Sequence, residues 1–127
     1  MGTSSKTGTE DARAEHRFGS SPPLTIGVEE ELLLVDADYR LVADGQRLLG
    51  EIADPHRSSV STEIFATQIE LKTGVCLDAE QAARELTAVR RATAATGALL
   101  MGSGTYPGES GEPALIDKAR YETVKQD

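Results

Sequence analysis

The chain has 127 residues, about the size of one domain, and its core must rely on aliphatic residues because only 4% are aromatic and tryptophan is absent. A formal net charge of −8 without a Lys/Arg cluster argues against nucleic acid as a partner. Cys76 is the only cysteine, so a disulfide framework is excluded and we expect a small buried hydrophobe in a cytoplasmic protein. No apolar run reaches the roughly 18–20 residues of a membrane span, and no secretory signal is visible, so we expect no membrane partner.

The N-terminal residues differ in composition from the rest of the chain. Residues 1–23 are rich in Ser, Thr, Gly and charged residues and end in a Ser-Ser-Pro-Pro run. Such a segment buries too little apolar surface to offset chain entropy, so we predict a disordered N-terminal tail. Residues 24–127 are predicted to form the folded unit.

Residues 24–35 are predicted to form the first strand. Strand alternation sends two sets of side chains to opposite faces, namely Ile26, Val28, Leu32 and Leu34 against Glu29, Glu31 and Leu33. A turn at 36–38 and a short partner strand at 39–43 are expected to follow. We then predict a short helix around 46–52, which ends before Pro55.

The second half of the chain alternates between strand and helix patterns. Residues 60–75 are rich in strand-forming residues, but their imperfect alternation predicts a bulge or a change of face midway. A helix follows, with Asp78 as its cap, Gln81 as the capping-box partner and Gly97 at its end. The remaining segments are predicted to be a short buried strand at 98–102, a Gly- and Pro-rich loop at 103–113 and a helix at 117–127.

This order of elements predicts an α+β fold, in which a partial antiparallel sheet carries helices on one face. A sheet this small leaves open edges, which favour association with another chain.

Three consecutive carboxylates interrupt the apolar pattern of the first strand. Glu29 and Glu31 share a face, about 7 Å apart along the strand. Carboxylates this close repel each other unless a cation intervenes, and Mg²⁺ prefers carboxylate oxygens together with phosphate oxygens. The pair therefore suits a metal–phosphate site, and the alternative is a solvated strand face. Glu30 points the other way, so it lies at the sheet margin or is paired with a base.

A second acidic position lies in the next β-rich segment. Gln68, Glu70 and Lys72 share one face, and Glu70 lies between two aliphatic neighbours, where an unpaired carboxylate is costly. If the two strands are adjacent, Glu70 can join Glu29 and Glu31 as a third ligand. Glu63 can reach the same cluster only if the backbone bulges, and the alternative is an exposed strand start.

Four motifs in the chain resemble signatures of the glutamate–cysteine ligase type 2 family, in particular its bacterial carboxylate–amine ligase branch. They follow the order of the family and cover roughly residues 24–121. The motifs are Gly27-Val28-Glu29-Glu30-Glu31 with the apolar run and Asp36 after it, the segment 63–76, Gly102-Ser103-Gly104-Thr105-Tyr106-Pro107, and Asp117-Lys118-Ala119-Arg120-Tyr121.

The resemblance implies a fold related to glutamine synthetase, an open antiparallel sheet with helices outside. It also implies ATP and Mg²⁺ as ligands, transfer of the γ-phosphoryl group to a carboxylate, and attack of an amine on the acyl phosphate. Glutamate and cysteine, or an analogous amine, would be the substrates. By the same match Glu29, Glu31 and Glu70 would be the Mg²⁺ ligands. Gln68 and Thr73 would lie beside the amino-acid or nucleotide pocket.

The sequence departs from the family pattern in the residues of one loop and in its length. Tyr106 replaces a histidine, and Gly108 replaces an aromatic residue. The chain is also much shorter than family members and lacks their later metal ligands and basic residues, since Arg84, Arg90 and Arg91 are predicted on a solvated helix face. We therefore expect an N-terminal ligase fragment, inactive alone, that forms a homo-oligomer or joins a complementing chain.

Two other interpretations stay open. The chain can be a non-catalytic metal-binding or regulatory module that pairs with a full-length homologue. It can also be a plain α+β domain with acidic strand faces.

Overall fold

A computed structural model describes residues 19–20, 24–109, 111 and 114–116. Most of the tail predicted at 1–23 and the whole helix predicted at 117–127 lie outside these residues. The division of the chain near residue 23 therefore stays a prediction.

The described residues form a mixed structure of short strands and two helices. In chain order these are β1 (Glu29–Val35), α1 (Gly45–Glu51), a 3₁₀ turn (His56–Ser59), β2 (Val60–Thr62), β3 (Gln68–Lys72), α2 (Ala79–Ala94) and β4 (Leu99–Met101). The strands make one sheet in the order β2-β3-β1-β4, and every neighbouring pair is antiparallel. The α+β class and the antiparallel sheet are confirmed.

Both helices pack on the same face of this sheet. The core there combines apolar side chains of the strands with those of α1 and α2: Leu32, Leu34, Leu48, Leu49, Ile52, Val60, Ile69, Leu71 and Val89. Ile69 and Leu71 are completely buried at the centre of β3. Helices on one face are thus confirmed, and the other face of the sheet is left to loops and solvent. Among the described residues, no helix has the length and apolar character needed to cross a bilayer.

β1 begins five residues later than the sequence predicts. Leu24 has a positive φ of 62°, which interrupts the extended conformation, and Ile26 forms only an isolated bridge with Cys76. The turn after β1 forms as expected, because one carboxylate oxygen of Asp36 accepts hydrogen bonds from two backbone N–H groups, those of Asp38 and Arg40. Cys76 is buried, as predicted.

The partner strand predicted at 39–43 does not form. Tyr39 has a positive φ of 61°, and the segment makes only an isolated bridge between Val35 and Leu41. The short helix that follows is confirmed and nearly matches its predicted bounds.

The single bulged strand predicted at 60–75 is wrong. The segment folds back on itself as a hairpin, with β2 antiparallel to β3 and Thr62 opposite Ile69. The connecting loop pairs with another segment, since Ala66 N–H donates to Ala114 O and Ile116 N–H donates to Ile64 O. The imperfect alternation therefore marks a change of direction.

The boundaries of α2 are set by the residues that the sequence indicates. Gln81 N–H donates to the Asp78 carboxylate at 2.7 Å, and the Gln81 side chain in turn accepts from Leu77 N–H at 3.0 Å. Gly97, with a φ of 84°, follows the last turn. The strand after it was expected to be buried, which is wrong, because β4 is an edge strand and Leu99 is 50% exposed.

Candidate functional site

The face of the sheet opposite the helices carries a row of carboxylates, which we call the acidic face (Glu29, Glu31 and Glu70). β1 and β3 are adjacent, and their antiparallel register sets Glu31 directly opposite Glu70. Glu29 lies two residues along on the same face, opposite Lys72. The two strands thus place the three acids selected from the sequence on one face of the sheet.

The side chains on the acidic face are held to different extents. Glu70 Oε1 accepts a hydrogen bond of 3.0 Å from the Ser61 hydroxyl and lies 3.6 Å from the Lys72 ammonium nitrogen. Glu29 and Glu31 are exposed. Within the described ranges, no group of three His, Cys, Asp or Glu side chains converges closely enough to hold a metal ion. The assignment of these acids as Mg²⁺ ligands therefore stays a prediction.

Glu30 lies on the opposite face and has a basic partner. Its carboxylate accepts hydrogen bonds from Nε of Arg90 at 2.7 Å and from Nη2 of the same guanidinium. The hydrogen bond to Glu30 holds the pKa of Arg90 above its ordinary value. Of the two alternatives for Glu30, pairing with a base is the one observed. Arg90 is exposed on α2, as predicted, but it also pairs with Glu30, which the sequence did not indicate. This pair ties α2 to β1 between the two exposed acids.

Glu63 lies at the start of the hairpin loop. Its N–H donates to Gln68 O at 3.4 Å, which continues the β2–β3 ladder by one weak bond. Its backbone is therefore next to Gln68 and beyond the row that contains Glu70.

Thr73 joins the ends of two strands. Its hydroxyl accepts from Val28 N–H at 3.0 Å and donates to Gly74 O at 2.9 Å. The hydroxyl thus already bonds to two backbone groups, whereas the family resemblance implies a position beside a ligand pocket.

Glu85 of α2 binds the backbone next to Thr73, a contact that the sequence did not indicate. Its carboxylate accepts from the Gln81 side chain at 2.9 Å and from Gly74 N–H at 3.1 Å. These two bonds, the one from Gln81 first, lower the pKa of Glu85. The spacing of four residues between Gln81 and Glu85 was a usable signal of their contact, but nothing local pointed to Gly74.

A cavity of about 550 Å³ opens next to the acidic face. Gln68 and its cross-strand neighbour Leu33 lie in its wall, one row beyond Glu31 and Glu70. The remaining wall comes from loop residues, Leu41, Ala43, Phe65, Thr67, Gly104, Tyr106, Gly111 and Ala114. Gln68 therefore lies in the wall of a cavity, and Thr73 is not among the residues of this wall. Binding of a substrate or nucleotide in this cavity stays a prediction.

Tyr106 and Gly108, the two loop residues that depart from the family pattern, lie close together. The Tyr106 hydroxyl donates to Tyr39 O at 3.1 Å, which fixes the phenol ring over the loop. A Cβ atom at position 108 would lie 2.7 Å from the hydroxyl oxygen of Tyr106 and 2.8 Å from two of its ring carbons. Any side chain at position 108 would therefore require the Tyr106 phenol group to move.

Comparisons with known proteins show the family of this chain. The model of glutamate–cysteine ligase family 2 matches residues 25–127. The chain belongs to this family of carboxylate–amine ligases, which confirms the resemblance found in its motifs.

Relatives from several bacteria show what share of a family member's length this chain covers. One protein of Rubrobacter xylanophilus, provisionally named glutamate–cysteine ligase 2-3, is 33% identical over 89% of this chain and 33% of its own length. A second from that organism, provisionally named 2-1, is 40% identical over 73% of the chain and 26% of its own length. A protein of Mycolicibacterium smegmatis with the same provisional name is 36% identical over 86% of this chain and 30% of its own length. The chain thus spans about a third of the length of its relatives.

Proposed function

We propose that this chain supplies the first metal-binding strands of an ATP-dependent carboxylate–amine ligase of the glutamate–cysteine ligase type. The supporting observation is the register of β1 and β3, which pairs Glu31 with Glu70 and keeps Glu29 on the same face. Membership of glutamate–cysteine ligase family 2 supports the same proposal. The proposal includes the relation of the fold to glutamine synthetase.

The donor set of the acidic face fits Mg²⁺. Glu29, Glu31 and Glu70 offer carboxylate oxygens, which hard divalent cations prefer, from adjacent antiparallel strands. Two of the three side chains are exposed, so they can converge by rotation about side-chain bonds without movement of the strands. When bound, Mg²⁺ neutralises charge on the phosphate oxygens during phosphoryl transfer.

The reaction that we propose joins a carboxylate and an amine in two steps. The substrate carboxylate, that of glutamate, attacks the γ-phosphorus of ATP, which forms an acyl phosphate and releases ADP. The amine nitrogen of cysteine, or of an analogous compound, then attacks the acyl carbon, and phosphate leaves as the amide forms. In this scheme the acidic face aligns the nucleotide, and Gln68 lines the adjoining pocket for one of the substrates.

Full activity in this proposal requires more protein than these 127 residues. The relatives are about three times as long as the matched region. We propose that further ligands for metal and phosphate come from the part of the family sequence that these residues do not include, whether it belongs to the same polypeptide or to a complementing chain. We propose that the chain alone binds Mg²⁺ and Mg·ATP but does not turn over.

Calorimetric titration of the chain with Mg²⁺ and with Mg·ATP tests the proposal. We expect binding by the parent chain and loss of binding in the double variant Glu29→Gln, Glu70→Gln, because two of the three oxygen donors become neutral. The matched control is Glu51→Gln with Glu80→Gln, which removes the same charge from exposed positions on α1 and α2. Unchanged binding in the first variant, or equal loss in the control, would contradict the proposal.

A second candidate function is a non-catalytic module that pairs with a full-length homologue. The observation in its favour is the edge at β4, which among the described residues pairs with β1 alone and leaves Leu99 half exposed. Mixing the chain with a full-length relative separates the two functions. A complementing subunit restores turnover to a relative that lacks its first strands, whereas a regulatory module changes the activity of an intact one.

A further inference from the structure

Lys72 is the only cationic residue in the four strands, and it lies among the acids. It faces Glu29 across the β1–β3 ladder, and its ammonium nitrogen is 3.6 Å from Oε1 of Glu70. Its side chain is 39% exposed, so it has room to turn. The sequence placed Lys72 on this face but did not connect it with any ligand.

The charges of the acidic face do not balance without a further cation. Three carboxylates face one ammonium group, and that ammonium already lies beside the carboxylate with the least exposure, Glu70. A divalent cation that binds Glu70 would stand close to the Lys72 ammonium, and the two positive charges would repel each other. Lys72 and the metal therefore compete for the same carboxylate.

The anion that accompanies the metal offers Lys72 an alternative partner. A lysine ammonium is a compact charge with three donors on a flexible stem, and it is a common ligand of phosphate groups. We infer that Lys72 exchanges between Glu70 in the free site and a phosphate oxygen of a metal-bound polyphosphate in the loaded site. This inference rests on the proposed function and adds a phosphate-binding residue to it.

The inference predicts that a single substitution of Lys72 changes the affinity for Mg²⁺ and the affinity for Mg·ATP in opposite directions. Lys72→Met removes the competitor, so the affinity for Mg²⁺ alone should rise about fivefold by the loss of one nearby unit charge. The same variant loses a charged hydrogen bond to phosphate, so the affinity for Mg·ATP should fall about tenfold. Lys72→Gln, which is also neutral but polar, should behave alike. Calorimetric titrations of the full 127-residue chain with MgCl₂ and with Mg·ATP measure both quantities.

The matched control is Arg84→Met. It removes the same charge from the exposed side of α2, where Arg84 pairs with Glu80, and should leave both affinities within about twofold. A parallel shift of the two affinities in the Lys72 variants, or no shift, overturns the inference while the proposed function stands. Absence of Mg²⁺ binding in the parent chain overturns both.

Discussion

The two faces of the sheet use the same strands in opposite ways. On the face covered by α1 and α2, the apolar side chains are buried and the only strand carboxylate, Glu30, has a guanidinium partner. On the acidic face, Glu29 and Glu31 are exposed, and the third acid, Glu70, lies beside the ammonium group of Lys72. Because successive residues of a strand point to opposite sides, one strand contributes apolar contacts to one face and carboxylates to the other. Substitutions at neighbouring positions should therefore have different consequences.

The largest contrast is expected at the centre of β3. Ile69 is completely buried against the helices, so Ile69→Ala should lower the free energy of unfolding by about 2–5 kcal/mol through lost burial and a cavity. Its neighbour Glu70 points to the acidic face, and Glu70→Gln should change stability by less than about 0.5 kcal/mol. Urea unfolding followed by circular dichroism measures both. Similar losses in the two variants would contradict a division of roles between the faces.

The cap of α2 is the next most sensitive position. Asp78→Ala removes the side-chain acceptor of Gln81 N–H and should cost about 1 kcal/mol. Asp78→Asn keeps an acceptor and serves as the control, with a loss of only a few tenths of a kcal/mol. Urea midpoints give the comparison, and a loss of the same size in both variants would show that charge, not the capping bond, matters there.

A smaller contrast is expected within the row of three glutamates. Glu30→Gln weakens a partly exposed ion pair with Arg90, so it should lower stability by about 0.5–1 kcal/mol. Glu31→Gln relieves repulsion with Glu70 across the ladder and should raise stability slightly. Thermal unfolding at low salt checks the two signs. Equal effects of the two substitutions would mean that the ion pair of Glu30 with Arg90 does not stabilise the protein.

The smallest expected effect is a pH dependence that originates in Glu85. Its pKa is lowered in the folded protein, so the folded state binds fewer protons there than the unfolded state. The stability that it contributes is complete above its ordinary pKa of 4.5 and is lost as the pH falls through the lower, folded value. Glu85→Gln should therefore show a shallower loss of stability on acidification in urea titrations at several pH values. A variant with the same acid dependence as the parent would contradict this.

Local signals in the sequence predicted much of the helix-covered face and of the acidic face. Alternation assigned Glu29 and Glu31 to one side of β1 and Glu30 to the other, and Asp78 and Gly97 marked the ends of α2. These features depend on residues within a few positions of each other, which a sequence displays directly.

The features that the sequence missed depend on contacts between distant residues. Arg90 is 60 positions from Glu30, and Glu85 reaches back 11 positions to Gly74, so periodicity within a helix could not reveal either partner. The hairpin between β2 and β3 was mistaken for one strand because its loop is stabilised by residues 114–116, far along the chain. The exposure of Leu99 followed from the position of β4 at the edge, which only the sheet order defines.

The direct opposition of Glu31 and Glu70 couples the assembly of the sheet to the ionic medium around it. Like charges across a ladder work against strand pairing, so any cation that settles between them favours the paired state over the unpaired one. Thermodynamic reciprocity then requires that a well-ordered sheet hold such a cation more tightly than a frayed one. The melting temperature of this protein would accordingly report on the free concentration of divalent ions.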